Sequence, residues 1–137
     1  MPYQFLEHTA DVKFRAEGLT IEEMFSEAAK ALSETIRGNI KILEQKEESF
    51  EVTGTDMEVL LYNFLEEFLF LLDAKDFLMS SIKSVEVDRE NFKIRCVVVG
   101  DSAEKYKFTN DVKAVTYSEM FLKEERGKWI CQVVLDV

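Results

Sequence analysis

His8 and Asp11 sit three residues apart in "EHTAD" near the start of the chain, and Asp136 is the penultimate residue in "VVLDV" at its end. A lone histidine beside an acid is the raw material of an acid–base pair or a metal site. Neither use is settled by the pair alone. No serine or cysteine stands in a recognisable nucleophile setting, and no glycine-rich loop opens a helix to cradle phosphate. With one histidine and no cysteine cluster, the usual zinc ligand sets are absent. Oxygen donors remain: carboxylates, carbonyls and the chain-terminal carboxylate. These suit a hard cation such as calcium or magnesium. If the strand that ends the chain lies beside the strand that Asp11 opens, then Asp11, Asp136 and Val137 converge and a cation would offset their repulsion. If the strands lie apart, these are unrelated surface acids.

The elements that must position these residues are legible from hydropathy. "VKFRAEG" alternates, with Val12, Phe14 and Ala16 on one face and charge on the other, as in a half-buried strand. "GLTIEEMFSEAAKALSETIRGN" reads as an amphipathic helix, with a capping box from Thr20 to Glu23 and a glycine stop at Gly38. "KEESFEVTG" is a short strand. "TDMEVLLYNFLEEFLFLLDAKD" is a second helix, with a capping box expected at Thr55 and Glu58. Its core face is Met57, Leu60, Leu61, Phe64, Leu65, Phe68 and Leu72, leaving Val59 and Phe70 opposite. Two hairpins follow, the first turning through "DREN" and the second at Glu124 to Gly127. The expected architecture is α+β, a two-layer α/β sandwich with both helices on one face of a mixed, largely antiparallel sheet.

The chain has 137 residues, enough for one domain, 1–137, with a substantial core. The apolar fraction of 47% with eleven phenylalanines excludes intrinsic disorder. One proline and five glycines imply short loops. No apolar run reaches a spanning length and no signal peptide is legible, so the expectation is a cytoplasmic protein without membrane contact. The formal net charge of −10 repels phosphate backbones, so direct nucleic-acid binding is not expected. A basic protein partner is easier to accommodate. Cys96 and Cys131 lie in alternating apolar runs and read as buried free thiols.

"FLEHTADVKFRAEGLTIEEMFSEAAKALSETI" closely resembles the N-terminal signature of the archease family. "VKAVTYSEMFLKEE" is similar to that family's K-A-x-T-Y strand, and "VVLDV" to its chain end. The loop "GDSAEKYKFTND" departs from the pattern, where a proline- and histidine-bearing stretch is expected. The resemblance implies a protein without catalysis of its own that activates the RNA ligase joining tRNA exon halves. It would promote formation of the ligase–guanylate intermediate and multiple turnover. It also implies, for some members, chaperone-like modulation of a tRNA cytosine-5 methyltransferase. The family's calcium-type site maps onto Asp11, Asp136 and Val137, with His8 beside it or facing a partner. Lys113, Thr116 and Tyr117 lie on the K-A-x-T-Y strand, where they either touch a partner or decorate the sheet. The competing readings are a metal-dependent hydrolase using Asp11, Asp136 and His8, and a stand-alone calcium-binding module. The hydrolase lacks an evident second acid–base pair. The module leaves the use of the chain end unexplained.

Overall fold

The computed structural model describes residues 2–7, 11–109 and 112–137. Seven strands and two α-helices follow in the order β1 (Tyr3–Leu6), β2 (Asp11–Gly18), α1 (Ile21–Arg37), β3 (Lys46–Thr53), α2 (Met57–Lys75), β4 (Phe77–Asp88), β5 (Lys93–Ser102), β6 (Ala114–Glu125) and β7 (Lys128–Asp136), with one 3-10 turn at Ala103–Lys105. The α+β class stands. In place of one sheet there are two, ordered β1-β2-β7-β6 and β3-β5-β4, and the strand pairs in both are antiparallel. No helix among the described residues is long and apolar enough to cross a membrane.

The split into two sheets explains the composition of α2. A helix on one sheet face needs one apolar stripe. Here α2 packs against β6 of the first sheet and against β3, β4 and β5 of the second, and it touches α1 as well. Leu69 and Leu71 are therefore buried beside the expected Leu60, Leu61, Phe64, Leu65 and Phe68, whereas Met57 and Leu72 are only partly covered. Phe70 stays 52% exposed, as its helical position demands. A single core joins α1, α2 and both sheets. At its centre Phe64 meets Phe25 and Phe68 edge-on, with ring centroids 5.3 and 5.2 Å away.

The helix ends follow local chemistry. Thr20 caps α1 by accepting from the Glu23 amide at 3.1 Å, and the Glu23 carboxylate accepts in turn from the amide of Leu19, the residue before the cap, at 2.9 Å, a variant of the capping box. Gly38 closes the helix at φ 67°. The cap of α2 lies one residue later than the sequence pattern suggests. Asp56, rather than Thr55, is the cap, and its Oδ1 accepts from the Val59 amide at 2.8 Å. Both residues are good caps, and the carboxylate at Asp56 adds charge complementarity to the helix N-terminus. Asp56→Ala should therefore cost about 1 kcal/mol in urea unfolding. Thr55→Ala, at an exposed site, should stay within about 0.5 kcal/mol. Equal losses would return the cap to Thr55.

The β6–β7 hairpin turns on Arg126 and Gly127, both with positive φ, 55° and 78°. Strand β1 is an element that sequence patterning did not mark. Its four residues pair with Lys13–Ala16, and the Tyr3 hydroxyl donates to Glu34 of α1 at 3.2 Å.

Candidate functional site

The core face of β2 carries Phe14 and Ala16, opposite Val133 and Cys131 of β7, and all four are fully buried. Alternation then assigns Asp11, Lys13 and Arg15 to the other face. The β2–β7 ladder runs to the end of both strands, and its last rung is Asp11 opposite Asp136. Directly opposed residues of an antiparallel pair project to one side, with Cβ atoms about 4.5–5.5 Å apart. The two acids that bracket the sequence are thus cross-strand neighbours.

Several contacts hold this end of the sheet. Ala114 of β6 pairs with Asp136, and the Lys113 amide donates to the Asp136 carbonyl at 2.7 Å. The Val137 side chain packs against the core, which fixes the chain end beside the acids. Asp136 is exposed and Asp11 half-buried. Asp11 also lines a shallow crevice with Phe5, Leu6, Lys13 and Glu34. His8, the remaining candidate, lies outside the described residues, as do Thr9 and Ala10.

Further along β6, the register breaks between Thr116 and Phe121. The four residues 117–120 bulge over the outer face of β7, with Glu119 at φ 52°. Gln132 donates to the Glu119 carbonyl at 2.7 Å and accepts from Arg15 at 2.9 Å, while Lys13 pairs with the Glu119 carboxylate at 3.3 Å. Thr116 donates to the Val134 carbonyl, so its hydroxyl is spent on the sheet. Tyr117 stacks on Tyr62 of α2, centroids 4.3 Å apart, and remains 52% exposed. Lys113 is exposed beside the acid pair. Sequence reasoning saw the K-A-x-T-Y strand but could not see the bulge, which inserts residues without any glycine or proline to mark it.

The donor set can be tested against a cation. Like charges directly opposite one another destabilise a ladder, and a divalent ion between them reverses that sign. Two carboxylates and the backbone oxygen of the adjoining Val137 are all-oxygen donors, which favour a hard cation. Among the described residues no group of three His, Cys, Asp or Glu side chains converges for a metal. Among the described residues, Val137 adjoins the Asp11–Asp136 pair and its backbone oxygen is the nearest further donor in sequence. The thiols offer no alternative chemistry: burial pushes both Cys96 and Cys131 up to about 12, far from a reactive thiolate.

Fold and site together define a class: a small acidic α+β protein whose first long strand and last strand close a ladder on two facing carboxylates. The pattern of the Archease protein family (MTH1598/TM1083) matches residues 3–137, and the chain belongs to that family. The archease of Pyrococcus furiosus is 38% identical, over 98% of each chain. That of Methanosarcina mazei is 34% identical, over 98% of this chain and 95% of its own. Among solved structures, a Methanobacterium thermoautotrophicum protein studied in solution superposes with a TM-score of 0.83 at 30% identity, covering 99% of both chains. A Thermotoga maritima protein described as an archease and possible chaperone reaches a TM-score of 0.68 at 20% identity over 96% of this chain and 94% of its own, a likeness of fold.

Proposed function

We propose that this protein is a non-catalytic activator of the RNA ligase that joins tRNA exon halves, acting through a calcium-type cation held by Asp11, Asp136 and the chain end at Val137. The observation that carries the reading is the ladder register, which sets Asp11 opposite Asp136 at the terminus of the chain. When bound, the cation supplies a fixed positive charge with coordination positions left open for groups of a partner. The chain's own part is to hold the donors. β7 delivers Asp136, the Lys113 amide fixes the Asp136 carbonyl, and the packed side chain of Val137 keeps the terminal carboxylate nearby. The net charge of −10 suits a protein that reaches RNA through a basic partner rather than directly. A chaperone-like role toward a tRNA cytosine-5 methyltransferase would use the same acidic surface.

A short C-terminal extension tests the site. It moves the α-carboxylate away and converts Val137 into an interior residue, while the apolar face of β7 stays packed. Such a tag should weaken both calcium affinity and ligase activation more than an N-terminal tag does. Equal activation and equal calcium affinity by calorimetry in the two tagged forms would remove the terminal carboxylate from the site.

A further inference from the structure

A groove lies away from the acid pair. It has a volume of about 610 Å³ and runs between the first turns of α1 and residues 82–85 of β4. Gly18, at its end, is opposite Trp129, seven register steps along the ladder from Asp11, roughly 24 Å away.

One wall of the groove is the outer edge of β4, whose register shifts between Ile82 and Ser84 and whose Met79 carbonyl accepts from Arg37 of α1 at 3.2 Å, so the regular free stretch is Ser84–Val87. β4 pairs with β5 alone, so its other side is unpaired. The Val87 amide points outward from that side and donates to the Glu22 carboxylate of α1 at 3.3 Å. Val85 has the same parity in the strand, so its N–H and C=O also point outward, into the groove. Among the described residues no side chain takes up the Val85 amide. Glu22 thus already occupies the place that a neighbouring strand's carbonyl would take, one pair further along.

The opposite wall is acidic. Glu22 and Glu23 are held by the Val87 and Leu19 amides and make no ion pair among the described residues. The lysines around the groove are engaged, Lys30 by Glu27 at 3.1 Å, Lys83 by Glu47 at 2.9 Å and Lys128 by Glu17 at 3.7 Å. At the mouth Leu19 is 70% exposed, the most exposed large apolar side chain among the described residues. An open edge, two fixed carboxylates without cations and an exposed leucine together describe a site for strand addition. Main-chain pairing supplies affinity there and flanking side chains supply selectivity. A second copy of this chain is the wrong occupant, because each copy brings a charge of −10 and the same two carboxylates.

We infer that the groove between α1 and β4 receives an extended basic segment of a partner polypeptide as a fourth strand of the β3-β5-β4 sheet. The site is separate from the cation-dependent role proposed above and stands or falls independently of it.

A fluorescein-labelled peptide of alternating valine and lysine is the probe. Its binding should saturate, and it should slow hydrogen exchange at the Val85 amide about tenfold or more, because pairing buries that group. Ser26→Trp, which fills the groove from the helix side, should weaken binding about tenfold. Glu22→Gln, which keeps an acceptor for Val87, should weaken it less and reduce its salt dependence. Circular dichroism confirms that both variants are folded. Failure of the peptide to saturate, or binding with unchanged Val85 exchange, overturns the proposal, the latter in favour of attraction by surface charge alone. Undiminished binding by both folded variants overturns it too. A peptide-free dimer in sedimentation that Ser26→Trp dissolves would assign the edge to a second copy instead.

Discussion

Alanine at Asp136 should remove most of the proposed ligase activation while leaving the protein as stable as before. Asp136 is exposed, closes the last rung of its ladder and faces another acid. Its loss therefore removes a like-charge contact and should move stability by no more than about 0.5 kcal/mol in either direction. Its loss from a cation site is another matter. Changing outer partners of metal ligands alone costs roughly 10–100-fold in metal affinity, and a direct donor should cost no less. Asp11→Ala should behave in the same way. Because both acids would serve one ion, the double variant should be scarcely worse than either single one, a non-additivity that independent surface acids would not show. Activation assays, urea unfolding and calcium calorimetry on the three variants check this. Unfolding midpoints that fall sharply with activation intact would make the acids structural.

The second large effect concerns the core. Phe64→Ala should destabilise the fold by about 3–5 kcal/mol, read from urea unfolding with an unchanged slope. Phe64 is fully buried where α2 meets α1 and the second sheet. Its ring contacts Phe25, Phe68 and Phe50, the last at a centroid distance of 6.0 Å. Those three neighbours are fixed by separate elements, so they cannot all close on the space left behind. The loss should thus sit near the upper end for a buried ring. Phe70→Ala, on the exposed flank of the same helix, is the control and should change stability by about 0.5 kcal/mol or less. A Phe64→Ala loss below about 1.5 kcal/mol would mean that α2 is not the hub of a shared core.

How far the sequence carried the account depends on which interactions define each part. Helix α1 was legible because its signals are local: Thr20, Glu23 and Gly38 sit in the order that a helix start and stop require, and the structure uses all three. The α2 cap was ambiguous because Thr55 and Asp56 are both competent, and only backbone geometry chooses between them. The division into two sheets was hidden, since Leu69 looks like surplus hydrophobicity until β6 is known to lie beside Tyr62 and Glu66, which share its side of the helix. Strand β1 escaped notice because four residues, "YQFL", are too few to show a period. The candidate site was half legible. Residue chemistry marked Asp11, Asp136 and Val137 as oxygen donors, but their meeting is a long-range pairing that no local pattern encodes. His8, the fourth candidate, lies outside the described residues.

The most direct test of the proposed role is a ligation assay under multiple-turnover conditions, with RNA halves in large excess over the cognate ligase. Joined product should exceed the amount of ligase only when this protein and calcium are both present, and this protein alone should neither join nor cleave RNA. Ligase turnover that is the same with and without it, or RNA hydrolysis by the purified protein that Asp11→Ala abolishes, would contradict the account.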